Sequence, residues 1–451
     1  TSGWTWGDAT VSNWVYDLRG LPTSHSLAAD TRTLGYDNVG QIVTLDDTRH
    51  DLDIDYDALG RLFDFDALGL APLSSQDFSY DANGNRLSFT EGASYLYTVT
   101  ANTNRVATVA GPIPKTYSYD AAGNITSDGT TIFTYDDRGR LVTAGTASYV
   151  HNGLGQRVKK DNGSVTLFAY DEVGNLIGEY DAAGNPIREH VWFGGAPVAV
   201  IAGTDVHYVH TDHLGTPRAI TDSGIVIWRW ESDPFGSTAA QEDPDGDLMT
   251  FTYNLRFPGQ YYDSESGLHY NYFRTYDPGT GRYLESDPIG LTGGLNTYSY
   301  ALSSPKKYID PDGRTPKAGA VLCFIPGAGW VSCAAAAVGA TIATGVCIVS
   351  GACERLLEAV GDLATAHTEE CDDDEDECDR SRKAEEDDCF ENYSLWGYDN
   401  YVFQGCMQRA RERWALCKSN GGTMPLDAPP PWSDADVDGW PTIHERRLVW
   451  Q

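Results

Sequence analysis

The amino-acid sequence predicts a mainly β chain built of serial hairpins, with an α-helical, cysteine-rich segment towards its C-terminal end. Three observations carry this. A Tyr-Asp-x-x-Gly unit recurs between residues 16 and 187. The composition is turn-rich and aromatic, with 47 Gly and 26 Tyr against three Met, as expected where short strands alternate with tight turns. All nine cysteines fall after residue 322, so two parts with different stabilising chemistry meet near residue 314.

The repeated unit reads YDLRGL from Tyr16, YDNVGQI from Tyr36, YDALGRL from Tyr56, YDANGNRL from Tyr80 and YDAAGNI from Tyr119. It continues as YDDRGRL from Tyr135, HNGLGQRV from His151, YDEVGNLI from Tyr170 and YDAAGNPI from Tyr180. Most steps are 16 to 24 residues, the length of one hairpin. Tyr ends a strand, where an aromatic ring packs well on a pleated surface. Asp caps a type I turn through backbone N–H groups, and Gly three positions on takes the positive φ that returns the chain to a strand. One hairpin is marginal in water, whereas a stacked series buries a continuous apolar face.

Y-D-x-x-G is the signature of the RHS/YD-repeat proteins, a family that includes bacterial polymorphic toxins, the C components of Tc complexes and the teneurins. The likeness continues beyond the array. YVHTDHLGTPRAITDSGIVIWRWESDPFG (208–236) resembles the family's DHLGSPR…DPFG segment, and FPGQYYDSESGLHYNYFRTYDPGTGRYLESDPIGLTGGLNTYSYALSSPKKYIDPDG (257–313) resembles its repeat-associated core. The resemblance implies a β-ribbon coiled into a hollow shell, a core that plugs it, and a variable C-terminal payload. The resemblance makes residues 1–200 a partial shell and 201–314 the core, and composition and cysteine spacing make 315–353 an uncharged helical segment, 354–422 a Cys-rich α-hairpin and 423–451 an extended tail.

In cargo-releasing members of this family the core cuts its own chain after a D-P-x-G-L motif. Position by position, the resemblance assigns Arg274 and Asp287 to the catalytic set and Pro305, Asp310, Pro311, Gly313 and Arg314 to the motif that is cut, while Asp277, the first Asp-Pro of the same stretch, is a further candidate for the carboxylate pair. Two close carboxylates can share a proton while an arginine holds one ionised. Asp277 opens DPGTG, which reads equally as an ordinary hairpin turn. Arg314 stands where the family has Leu, and a charge in an apolar pocket is costly to bury unpaired, so impaired release is the expectation.

The remaining sequence bounds function. A net charge of −33 argues against phosphate recognition, so no nucleic-acid partner is expected. The chain opens TSGWTW within an array already under way. The expected partners are therefore upstream residues of the same polypeptide or a shell-completing protein, with an immunity protein for a toxic payload. His207, His210 and His213 have a spacing that suggests a metal set, but strand residues three apart face opposite ways. No metal or cofactor is expected.

Residues 318–353 carry no charge and are long enough to reach a membrane, which needs ~20 apolar residues. Cys378 and Cys389, like Cys406 and Cys417, are eleven apart, about three helical turns. Two antiparallel helices would then pair Cys378 with Cys417 and Cys389 with Cys406, in an oxidising compartment. The tail holds no phosphate loop, nucleophile elbow or paired-His motif. The sequence thus predicts a secreted or surface RHS-type toxin segment that encapsulates, and by self-cleavage releases, a variable payload. The alternative is an uncleaved surface or adhesive protein with a membrane- or partner-attached tail.

Overall fold

The computed structural model describes residues 2–318, together with the backbone of 320–325 and 329–334, all within one compact unit. Twelve strands, from Ser2–Thr5 to Lys115–Thr116, form one sheet in which each strand pairs only with its sequence neighbours. Eleven more, from Phe133–Tyr135 to Ile225–Arg229, form a second sheet of the same kind. A short pair, Ser118–Tyr119 with Ile125–Ser127, lies between them in the chain. Helix among the described residues is confined to two 3-10 turns, Gly290–Gly293 and Ala301–Ser303. No described helix is long and apolar enough to cross a membrane.

The glycine that ends each repeat unit acts together with the Tyr and Asp that open it. At Asp57, Oδ1 accepts the N–H groups of Leu59 (2.9 Å) and Arg61 (3.0 Å). Gly60 adopts φ +76°, and its N–H closes the turn on the Asp57 carbonyl at 2.8 Å. The register slips by one residue at Tyr56, so the tyrosine leaves the strict alternation of its strand. Its hydroxyl then donates to the Ile42 carbonyl of the preceding hairpin at 3.0 Å. Tyr36, Tyr80, Tyr119, Tyr135 and Tyr170 do the same to Pro22, Leu62, Val106, Ile125 and Arg157. These six tyrosines therefore each fasten one repeat to the chain before it, a tertiary role beyond strand packing, whereas the Tyr180 hydroxyl bonds forward to Glu189.

Strand His50–Tyr56 alternates buried and exposed residues, which gives the sheet one apolar face. Leu34, Ile42, Leu52, Ile54, Leu62, Phe65 and Phe78 build that face, and Phe235 from the DPFG segment packs into it. The second sheet buries Phe168, Leu176, Val200, Ile220 and Trp228 against Trp230, Tyr253, Phe257, Tyr276, Tyr283 and Tyr300. Residues 230–317 thus sit against the inner faces of both sheets. At ~25 cal/mol per Å² of apolar area, these aromatic contacts are the main term holding plug to ribbon. The second sheet does not stop at residue 200; it runs to Arg229, into the segment that the motifs assign to the core.

One expectation is corrected. Residues 315–353 were to be helical, but Ala320–Ile325 and Gly329–Ala334 form an antiparallel hairpin, with Ala320 opposite Ala334 and Ile325 opposite Gly329. Val321, Ile325 and Val331 are β-branched, Phe324 and Trp330 are aromatic, and Pro326-Gly327 stops a helix and suits a turn. The rest of that segment, the expected α-hairpin with Cys378, Cys389, Cys406 and Cys417, and the 423–451 arm lie outside the described residues.

Candidate active site

Four short strands, Tyr261–Asp263, Leu268–Asn271, Arg274–Asp277 and Arg282–Tyr283, form an antiparallel sheet in the plug. The third presents Arg274, which is almost fully buried. Its Nη2 lies 3.0 Å from Asp287 Oδ2 and 3.1 Å from Asp310 Oδ2. Its Nη1 bonds the Thr297 carbonyl at 3.1 Å, its Nε bonds the Gly313 carbonyl, and the guanidinium stacks on the Tyr283 ring. One arginine therefore joins both carboxylates to the backbone of the D-P-x-G motif.

Asp310 has no exposed surface. Oδ1 accepts the N–H groups of Arg314 (2.9 Å) and Thr315 (3.0 Å), and Oδ2 also accepts the Tyr283 hydroxyl at 2.9 Å. Asn271 supports both, bonding the Tyr283 hydroxyl and the Asp310 carbonyl. Burial raises the Asp310 carboxyl above its ordinary range even with Arg274 beside it, because desolvation penalises the charged form. Burial likewise raises Asp287, with Arg274 opposing and Asp310 adding to the shift. Asp287 Oδ1 accepts the Ile289 N–H at 2.9 Å.

Gly293 shows what Asp287 faces. A methyl group built there would lie 2.4 Å from Asp287 Oδ2 and 2.7 Å from the Arg314 carbonyl oxygen. The carboxylate and that carbonyl flank one small space. Pro311 opens the turn that ends at Gly313 (φ +69°), and Gly259 admits the Pro311 carbonyl where any side chain would collide. Pro305 is buried just after the Ala301–Ser303 turn and contacts neither carboxylate among the hydrogen bonds described.

Two assignments change. Asp277 does not join Arg274 and Asp287. Three residues along a strand it faces the other way, where Oδ1 caps the Gly279 N–H at 2.9 Å and Oδ2 lies 3.5 Å from Lys115 Nζ. It is a turn cap on the wall of a separate cavity of about 270 Å³. Arg314, for its part, is not an unpaired charge in an apolar pocket. Its Nη2 lies 3.0 Å from Asp312 Oδ2, its guanidinium is 4.2 Å from the Phe273 ring centre, and two-fifths of the side chain stays exposed.

Sequence reading missed Tyr283, Asn271, Gly293, Asp312 and Glu285. Only Asp312, a second acid in IDPDGR, carried any local signal. Glu285 is fully buried: burial pushes its carboxyl up to about 7, partly offset by hydrogen bonds from Thr275, and Oε1 has no partner. The three histidines do not converge, since His210 bonds Thr221 and His213 bonds the Lys306 carbonyl. Asp47, His50 and Glu231 do converge, but Arg32 Nη2 binds Asp47 at 2.6 Å and Glu231 at 2.8 Å, so a guanidinium supplies the neutralising charge.

A hairpin ribbon with tyrosine staples, closed on a plug that carries a buried arginine between two aspartates, defines an RHS-type shell protein. Residues 28–188 match the family model for the teneurin YD-shell, and residues 206–242 match that for the RHS protein. The toxin protein Tse5 of Pseudomonas aeruginosa is 29% identical over 365 residues, covering 62% of this chain and 26% of the relative. The double-stranded DNA deaminase toxin A of Burkholderia cenocepacia is 31% identical over 332 residues, covering 67% and 22%. The chain thus spans about a quarter of the length of these relatives. Among solved structures, the Photorhabdus luminescens Tc holotoxin pore aligns with a TM-score of 0.55 at 18% identity, over 70% of this chain and 18% of that one. The chain belongs to the RHS/YD-repeat proteins.

Proposed function

We propose that this chain is the C-terminal part of a secreted or surface-delivered RHS toxin whose core hydrolyses its own Arg314–Thr315 bond and frees residues 315–451 as the payload. One observation carries the reading: Arg274 ties Asp287 and Asp310 together beside that bond. Asp310 binds the amide nitrogens on either side of the Arg314 carbonyl, whose oxygen shares the space beside Gly293 with Asp287.

The chemistry follows from position. Asp287, the carboxylate beside the Arg314 carbonyl, takes a proton from water as the water oxygen bonds to the carbonyl carbon. Asp310, whose oxygens accept only from donors, stays ionised and holds the Thr315 N–H. Asp287 returns the proton it took from water to the Thr315 nitrogen as the C–N bond breaks, leaving a carboxylic acid on Arg314 and an amine on Thr315. Burial raises the Asp287 carboxyl even with Arg274 beside it, which makes it a stronger base for that proton than a free aspartate. Arg274 then holds the remaining negative charge and, through the Gly313 carbonyl, the register of the strand to be cut.

Incubation of the purified full chain, followed by denaturing gel and intact mass, should give two products ending at Arg314 and starting at Thr315. Asp287→Asn and Asp310→Asn should each slow this ~100-fold or more. A wild-type chain that stays intact overturns the reading. Expression of residues 315–451 in a bacterial periplasm should arrest growth, and harmless accumulation would remove the payload role. Upstream residues of the same polypeptide and an immunity protein are the partners this reading requires.

A further inference from the structure

We infer that Asp312 and Phe273 form the recognition clamp for the side chain at position 314, and that they make arginine the residue this core is built to cut after. The inference rests on the self-cleavage reading above.

The clamp has two jaws. Asp312 supplies charge: its Oδ2 takes Arg314 Nη2 at 3.0 Å and Nε at 3.3 Å, a two-point contact that lysine or leucine cannot reproduce. Phe273 supplies a face: the guanidinium carbon is 4.2 Å from its ring centre, within the range of a cation–π contact. Both jaws are fixed from behind. The Phe273 N–H bonds the Asp312 carbonyl at 3.3 Å, so jaw meets jaw through the backbone. The Phe273 ring lies 4.4 Å from the Tyr272 ring and passes close to Gly155, where an added methyl would come within 3.2 Å of it. A repeat turn of the ribbon therefore buttresses the plug-borne ring.

The clamp is also tied to the reacting groups. Phe273 directly precedes Arg274, and Asp312 lies two residues before Arg314 within the turn that Asp310 caps. The direction in which Arg314 leaves this pair sets where its carbonyl points beside Asp287. A cavity of about 660 Å³, lined by Trp14, Trp192, Tyr272, Phe273, Asp312 and Arg314, opens beside the clamp, so the side chain has a wall on one side and space on the other. Burial raises the Asp312 carboxyl, but the bond and charge of Arg314 outweigh it and hold it below its ordinary range. Leucine could lie on Phe273 but would leave Asp312 only the smaller charge contribution of Lys317. Glutamate would add a charge to a site that already holds three aspartates.

Cleavage of full-length variants is followed by intact mass, with thermal melts to confirm folding. Arg314→Lys, which keeps the charge but not the two-point contact, should cut a few-fold slower than wild type and Arg314→Leu about tenfold slower, with Arg314→Glu and Asp312→Arg each slower still, since every ~1.4 kcal/mol is tenfold. The double variant Asp312→Arg with Arg314→Glu should recover at least about fivefold over either single change, which a merely structural role would not produce. Phe273→Tyr should retain cleavage and Phe273→Ala should lose about tenfold. If wild type cuts but the charge-reversed singles cut equally fast, or the double variant shows no recovery, the clamp is overturned while self-cleavage stands. An intact wild type overturns both.

Discussion

Gly293→Ala isolates the geometry on which the proposed chemistry depends. The added methyl would sit 2.4 Å from Asp287 Oδ2 and 2.7 Å from the Arg314 carbonyl oxygen, against ~3.4 Å for ordinary contact. The carboxylate must retreat by about 1 Å and the carbonyl by somewhat less, and misplacement of that size costs about 100-fold in rate. Asp287 is a side-chain end and can swing, but swinging takes it off Arg274; the carbonyl is backbone and yields less easily. Overpacking at such a site costs about 1–3 kcal/mol of stability, far too little to unfold an aromatic core of this size. The assay is a cleavage time course by intact mass, with a thermal melt in parallel. Gly153→Ala is the control, because nothing lies within 4 Å of that position, and it should cut at the wild-type rate. A Gly293→Ala chain that cuts within threefold of wild type would refute the placement of Asp287 at the Arg314 carbonyl.

Two further outcomes test the scaffold and the buried acid. Asp57→Ala removes the acceptor for the Leu59 and Arg61 N–H groups and should cost about 1–2 kcal/mol in urea unfolding, whereas Asp57→Asn should recover most of it. Glu285 is raised from 4.5 to about 7, so its contribution to stability is complete below pH 4.5 and is lost as the pH rises through 7. Between pH 5 and pH 8 the wild type should lose roughly 2–4 kcal/mol more than Glu285→Gln; parallel losses would show that the buried carboxyl is not responsible.

Much of the fold was legible because the repeat turn is local chemistry. Asp, Gly and their backbone partners lie within five residues of one another, so YDALGR in the sequence is already the turn at Asp57. The tyrosine hydroxyl was not legible, because its acceptor lies some 14 residues back and belongs to the neighbouring hairpin. The strands at 320–334 are hidden in the sequence for a different reason: Ala and Gly dominate the uncharged run, and only the Val, Ile, Phe and Trp between them carry strand preference. Arg274, Asp287 and Asp310 were singled out by motif resemblance, and the structure brings those three together while setting Asp277 apart. Strand alternation could have separated Arg274 from Asp277 in advance, had the boundaries of that four-residue strand been known.

The sequence by itself determined the unit of construction: where the chain turns, which face of each strand is apolar, and where the cysteine-bearing segment begins. These depend on φ preferences and side-chain polarity, which each residue carries with it. Only the tertiary structure decided which acids meet. Arg274 and Asp310 are 36 residues apart in the chain, and Arg32 and Glu231 are 199 apart. Such pairs form only when the inner faces of two sheets have closed around the plug, since a buried charge finds its partner across space and leaves no periodic trace along the chain.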